Sequence, residues 1–283
     1  MQEKFDVSER HACRTVGQHR SVHRREPVVR DDEAALVKRM LELVREHPRF
    51  GYRRICRLLR REEFVVNRKR MYRLWRREGL KVCRRTKKRR GTGGSKNACH
   101  VHRSRGKNDV WAWDFVFDYT TNGTQLKWLT VVDEFTRECV ALKVSRSIKA
   151  DDVIDTLCEL IAARGVPNHI RSDNGPEFIA KAIGKWLKQT GVSALYVEPG
   201  SPWQNGYSES FNSKLRDEFL NVEEFESVRD AVQMTKEFQR QYNEVRPHSA
   251  LDYQTPNEFA AMQPSVRARQ TGAAPTTFAI TST

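Results

Sequence analysis

Apolar residues recur at helical spacing through the first 80 positions and switch to strand-like alternation after position 109. In EAALVKRMLELVREH, residues 33–47, Leu36, Met40 and Leu43 form one stripe, which predicts a helix that His47-Pro48 ends. The acids at its start, Asp31 to Glu33, suit the positive end of the helix dipole. A second short helix is expected over Tyr52–Arg61, with Ile55, Leu58 and Leu59 inward. Asn67 caps a third over Arg68–Glu78, closed by Gly79, with Met71, Leu74 and Trp75 on one face.

Beyond Asp109, VWAWDFVFDY alternates as a strand over Val110–Tyr119, and Thr121-Asn122-Gly123 signals a hairpin. Leu126–Asp133 and Glu138–Val144 read as two further strands. A helix (Asp151–Arg164), a strand (His169–Ser172), a turn (Asn174–Phe178), a helix (Ala180–Thr190) and a last strand (Val192–Val197) follow. A Pro/Gly loop, Glu198–Gly206, precedes helices over Tyr207–Phe219 and Ser227–Tyr242. In the second of these, Val228, Val232, Thr235, Phe238 and Tyr242 share a stripe. Three meandering strands followed by helix–strand–helix–strand give an α/β domain with a mixed five-stranded sheet and flanking helices. The chain therefore divides into a basic lead-in (1–32), a small all-α helix-turn-helix-like domain (33–80), a basic linker (81–108), the α/β domain (109–262) and a disordered tail (263–283).

Charge sharpens this division. Residues 1–110 carry 33 Lys and Arg against 13 Asp and Glu, whereas the remainder carries 18 against 23. Such an asymmetry suits a nucleic-acid-binding portion beside a portion with another task. Lys69, Arg73 and Arg76 fall on one side of the third helix, with Arg70 and Arg77 beside them, as a recognition helix in a major groove requires. An arginine-rich exterior on an ordinary bundle is the plainer alternative. The linker KVCRRTKKRRGTGGSKNACHVHRSRGK offers Lys87, Lys88, Arg89 and Arg90 to phosphates.

The six cysteines stand far apart without a CxxC pair, so disulfides are not expected. Cys83, Cys99, His100 and His102 suggest zinc, as does the His19/His23 pair, but their spacing matches no closed site. No run approaches the roughly 18 apolar residues of a membrane span, and the N-terminus lacks the apolar core of a secretory signal. A cytoplasmic location with no membrane partner is the expectation.

Three acids in the second half invite chemistry. Asp114 sits mid-strand among apolar neighbours, Asp173 follows the strand HIRS, and Glu209 falls at the start of a helix. A carboxylate within a sheet is costly unless its charge is compensated, and converging carboxylates are reconciled by divalent cations. Two Mg²⁺ ions held this way would serve phosphodiester chemistry, with Mn²⁺ as a substitute. Asp118, on the face of Asp114, and Asp133 are rival ligands. Asn174 adjoins Asp173 as a supporting group or a turn former, and Gly175 reads as a turn former. Trp203, Gln204 and Asn205 lie in a loop that could order on DNA; Lys214 and Arg216 either reach phosphates or are solvated.

WAWDFVFDYT, TVVDEFTRE, IRSDNGPEF, EPGSPWQNGYSESFNSKLRDEFLN and YNEVRPHSALDYQTPNEF, in this order, resemble the B-frame transposases of two-frame bacterial insertion sequences. The resemblance extends over nearly all of 33–260, including PRFGYRRICRLLRRE and NRKRMYRLWRREGL. It implies the ribonuclease H-like fold of retroviral integrases and the DD(35)E class, with Asp114, Asp173 and Glu209 as the metal-binding and catalytic triad. It further implies Mg²⁺-dependent cleavage and strand transfer at element ends, with terminal-repeat and target DNA as partners and a homo-oligomer on DNA. The family's active product usually joins this frame to an upstream one, with its own DNA-binding helices and leucine zipper, by ribosomal frameshifting. The sequence starts at Met1 without those elements, so the upstream-frame (OrfA) product is an expected partner. The rival readings are a catalytically inactive DNA-binding regulator derived from a transposase and a nuclease acting on RNA–DNA hybrids.

Overall fold

Helical periodicity at the start and alternation after Asp109 are realised in a computed structural model that describes residues 5–25, 30–82, 102–172, 181–197 and 205–264. The lead-in contains α1 (Glu9–Val16) and a single turn, α2 (Arg20–His23). The helical module consists of α3 (Glu33–Glu46), α4 (Tyr52–Arg61) and α5 (Arg68–Arg77). The Asn67 side chain caps α5 by accepting the Arg70 N–H at 2.8 Å, as its sequence predicts. Leu36, Met40, Leu43, Ile55, Leu59, Met71 and Leu74 interlock as this module's core.

The α/β domain holds β1 (Val110–Tyr119), β2 (Gln125–Asp133), β3 (Cys139–Ser145), α6 (Ala150–Arg164), β4 (His169–Ser172), α7 (Lys181–Thr190) and β5 (Ser193–Tyr196). Then come α8 (Gly206–Leu215), a π-helical turn (Arg216–Leu220), α9 (Val228–Glu244) and α10 (Pro256–Ala261). The strands form one mixed sheet in the order β3-β2-β1-β4-β5. β1 is antiparallel to β2 and parallel to β4, which makes it the central strand. Gly123, at φ 81°, supplies the left-handed residue that the β1–β2 hairpin needs.

Alternation along β1 divides the core between two faces. Trp111 and Trp113 pack with Val153, Leu157, Ile183 and Leu187 from α6 and α7. Val116, with Trp128 and Leu142 from the neighbouring strands, packs against Phe211, Leu215, Phe219 and Tyr242 from the α8–α9 side. Among the described residues, no helix is long and apolar enough to cross a membrane.

Three details depart from the expectations. The helix expected over Tyr207–Phe219 divides at Leu215, where the wider π turn begins; Asp217 and Glu218 within that turn meet arginines of the helical module. Second, α10 was not anticipated, although Thr255-Pro256-Asn257-Glu258 spells a capping box with proline at the first helical position. Third, ion pairs that no sequence pattern announced tie the helical module to the α/β domain. Arg49 pairs with Asp217, Arg54 with Glu218 at 2.9 Å, and Arg61 with Glu258 at 2.6 Å, joining it to the α/β domain.

Candidate active site

Asp114 lies near the middle of β1 and is half-buried. Its Oδ1 accepts its neighbour's N–H, that of Phe115, at 2.8 Å, while Oδ2 accepts the Asn212 side-chain amide of α8, also at 2.8 Å. Thr130, opposite Asp114 on β2, donates its hydroxyl to the Asp114 carbonyl at 3.1 Å, with its Oγ1 3.3 Å from Asn212 Oδ1. This cross-brace fixes the register of α8 on the sheet. Glu209, exposed in the first turn of α8, stands three residues before Asn212 and so shares its helix face. The face that bonds Asp114 therefore also carries Glu209, one turn nearer the helix N-terminus.

Asn212 was not singled out in the sequence, although it lies within EPGSPWQNGYSESFNSKLRDEFLN, three residues after Glu209. On the strand cleavage that the resemblance implies, replacing it with alanine should lower rates roughly 10–100-fold, as losses of supporting groups commonly do, with little change in DNA affinity. Matched single-turnover and binding measurements would show this, and unaltered cleavage would remove Asn212 from the site.

Residues 173–180 and 198–204 lie outside the described residues, and with them Asp173, Asn174, Trp203 and Gln204. The described part of β4 ends at Ser172, immediately before Asp173 in sequence, and its parallel register pairs Ala112 with Arg171. Arg171 is buried, with Nη1 2.9 Å from Oε1 of the fully buried Glu134. Burial pushes the Glu134 carboxyl up to about 7 despite the opposing pull of Arg171.

Of the rival acids, Asp133 has a structural role. Asp133 is fully buried and accepts the N–H groups of Asn108, Phe135 and Thr136, so it shapes the β2–β3 turn. Asp118 accepts the Tyr119 N–H at 2.9 Å. Asn205 is the buried residue preceding α8, and its Oδ1 has no hydrogen-bond partner among the described residues. The Lys214 ammonium approaches the Ser210 carbonyl at 3.5 Å, and Arg216 donates to the Phe117 carbonyl at 3.1 Å. Beside α8, a pocket lined by Arg103, Arg137 and Lys214 gives this side of the domain a basic flank.

On α5, the side expected to face DNA is partly neutralised. Lys69, Arg73, Arg76 and Arg77 are exposed, but Arg70 is not; it is held by Asp32 in two bonds of 2.6 and 2.9 Å. Arg70 thus departs from the expected DNA-facing set, because the acids before α3 draw its guanidinium inward. Glu33, nearly fully buried, pairs with Arg73 at 3.1 Å and with Arg77. Its bond from Arg77 holds its carboxyl below the usual carboxylate range against the opposing effect of burial. Asp32 and Glu33, placed at the start of α3 where acids suit its dipole, also clamp α3 to α5. Lys69 and Arg76 have no ion pair among the described residues. Lys87, Lys88, Arg89 and Arg90 of the linker, with Cys83, Cys99 and His100, fall outside the described residues.

These placements separate two classes of variant. Lys69→Ala should weaken DNA binding and reduce the slope of log K against log salt by about one. Arg70→Ala should lower thermal stability and leave that slope unchanged. Salt-titrated binding paired with thermal melts checks both, and the reverse assignment would refute this division of the helix.

The family model for an HTH-like domain matches residues 30–89, and two models for an integrase core domain match 104–202 and 190–256. An uncharacterized 39.2 kDa protein of insertion element IS476 from Xanthomonas euvesicatoria is 43% identical over 261 residues, covering 92% of this chain and 75% of that protein. An uncharacterized 31.7 kDa protein of insertion element IS407 from Burkholderia multivorans is 41% identical over 278 residues, covering 98% of each. The transposase for insertion sequence element IS904 from Lactococcus lactis is 28% identical, over 84% of this chain and 98% of that one. Among solved structures, a chain of the simian T-cell lymphotropic virus intasome aligns over 65% of this chain and 63% of that chain, at 18% identity and a TM-score of 0.49.

Proposed function

We propose that this chain, which belongs to the insertion-element transposases with an integrase core, cleaves DNA strands at element ends and joins them to target DNA. Its fold is ribonuclease H-like, and its enzyme class is that of the DDE-type polynucleotidyl transferases. The observation that carries the reading is the Asn212–Asp114 bond, which sets α8, and with it Glu209, against the central strand beside the end of β4. Asp114, Asp173 and Glu209 would form the acidic triad of this site, with Asn174 as a neighbour.

An all-carboxylate donor set suits hard divalent cations such as Mg²⁺ or Mn²⁺. Two such ions, when bound, would activate the attacking oxygen and stabilise the leaving one. In the first step water attacks a phosphodiester, the P–O3′ bond breaks, and a free 3′-OH and a 5′-phosphate result. In the second, that 3′-OH forms a new bond to the phosphorus of another strand, whose own 3′-oxygen departs. No covalent protein intermediate is needed, so the chain's part is to hold the acids and position DNA. Lys69 and Arg76 on α5, the basic linker residues Lys87, Lys88, Arg89 and Arg90, and Trp203, Gln204, Asn205, Lys214 and Arg216 around α8 are the proposed DNA contacts. We assign Arg73 and Arg77 a divided role, as exposed cations already drawn toward Glu33. The DNA partners would be terminal repeats and target, bound by a homo-oligomer in the cytoplasm, with the upstream-frame product as a further partner.

Incubating the purified chain with a labelled duplex carrying its element's end and Mg²⁺ tests this reading. A nick that exposes a 3′-OH at the element boundary is expected, followed by joining to a second duplex. Binding without any cleavage, with and without the upstream-frame product, would favour the inactive regulator. Preferential cutting of the RNA strand in a hybrid would favour the nuclease.

A further inference from the structure

His102, Asp109 and His169 meet at the start of β1, away from Asp114 in the middle of that strand. Asp109 immediately precedes β1, His169 opens β4, and the parallel register pairs Val110 with His169. Their ligand-capable atoms lie within 4.8 Å of one another. His102 Nε2 is 3.9 Å from Asp109 Oδ2, and His169 Nδ1 is 3.7 Å from Asp109 Oδ1. Both separations exceed a hydrogen bond. Yet both nitrogens are buried, and neither has a hydrogen-bond partner among the described residues. Two buried imidazole nitrogens aimed at one carboxylate without bonding it represent an uncompensated cost.

We propose that His102, Asp109 and His169 form a three-ligand site for a divalent transition-metal ion of the zinc class, separate from the acidic site around Asp114. Bonds of roughly 2.0–2.2 Å from nitrogen and oxygen would draw these atoms slightly together around one ion, with a fourth position left to water. The donor set, two imidazoles and one carboxylate, suits zinc or iron rather than Mg²⁺. Asp109 and Asp114 are five positions apart along the strand, about 17 Å at strand rise, so one ion cannot serve both places.

The surroundings support the ligand role. Asp109 is 5% exposed, and its carboxylate already accepts the Arg105 N–H at 2.7 Å and the Asn168 amide at 3.0 Å. Such outer bonds are what orient a metal-bound carboxylate. Burial disfavours the charged Asp109, but those two bonds and the adjacent imidazoles hold it below the ordinary carboxylate range. Burial, with His169 beside it, holds His102 below the usual imidazole value and so in the neutral form a metal requires. The His102 and His169 rings stand 4.4 Å apart, and Arg171 Nη2 grips the His102 carbonyl at 2.6 Å. An ion here would staple the C-terminal part of the basic linker onto the starts of β1 and β4.

The full-length chain, stripped with chelator and titrated with Zn²⁺ against a chromophoric competitor, tests the site. One equivalent is expected that persists in Asp114→Asn and weakens at least about a hundredfold in His169→Ala. Co²⁺ in its place should give a visible spectrum without a thiolate charge-transfer band. His102→Gln offers a second variant should His169→Ala fail to fold. Retention unchanged in both histidine variants, a thiolate band, or no metal retained by the folded wild-type chain would overturn the site; in the last case buried water alone is its occupant.

Discussion

Asp114→Asn should reduce strand cleavage at element ends by about 10²–10³-fold, while affinity for the same DNA stays within about twofold. The expected loss matches what removing one preorganised charge-stabilising group costs an active site. The replacement is nearly isosteric, and its carbonyl oxygen can still accept the Asn212 amide that now bonds Asp114 at 2.8 Å. The register of α8 on β1 should therefore survive, and what is lost is the negative charge a hard cation needs. DNA affinity should persist because the basic residues proposed to hold DNA lie on other elements, chiefly α5 and the linker. Single-turnover cleavage and equilibrium binding on one duplex separate the two effects. Cleavage at wild-type rates would exclude Asp114 from the chemistry.

The second large effect concerns the seam between the helical module and the α/β domain. Glu218, 8% exposed in the π-helical turn, is gripped by Arg246 at 2.6 and 2.7 Å and by Arg54 at 2.9 Å. Arg246 is itself 3% exposed. Burial alone would raise the Glu218 carboxyl, but Arg246 and Arg54 overcome it and hold the group at about 2. Glu218→Gln leaves two guanidinium charges without their counter-ion and should cost about 3–5 kcal/mol. For a protein of this size that is a fall in melting temperature of roughly 10 °C.

The pH dependence follows with a definite sign. A carboxyl lowered in the folded state contributes stability above its unfolded value near 4.5 and loses that contribution as pH falls toward 2. The shift is worth about 3 kcal/mol. Wild-type acid unfolding should therefore steepen below pH 4.5, and the Gln variant should lack that component. Melting within about 2 °C of wild type and an identical acid profile would show that the seam is not held by this pair. The π turn continues directly from α8, so the same substitution should also blur the placement of Glu209.

Where a residue's role depends on its own element, the sequence was legible. Alternation in VWAWDFVFDY, the Asn67 cap and the Met71/Leu74/Trp75 stripe all specify local structure, and each appears with bounds within a residue or two of expectation. Contacts between elements were another matter. Nothing in DDEAAL shows that acids favouring a helix dipole will also clamp a later helix, and Asp32 and Glu33 do both. Arg70 consequently looked like a DNA-facing cation and is an internal one. Asn212 and Glu218 lie within one of the segments that carry the resemblance, but their roles come from what the sheet and the helical module bring against them. The His102, Asp109 and His169 cluster joins residues up to 67 positions apart, so no spacing rule could have assembled it. Asp114 and Glu209 stood out because a carboxylate inside a strand, or at a helix start after a Pro/Gly loop, conflicts with its local pattern.

The central claim is that Asp114, Asp173 and Glu209 share divalent cations. Its most direct test is anomalous diffraction from crystals of the chain soaked in Mn²⁺ together with element-end DNA. Manganese peaks bridged by these three carboxylates and facing the scissile phosphate are the predicted result. Manganese bound elsewhere, with Asp114 contacting only Asn212 and Phe115, would contradict it.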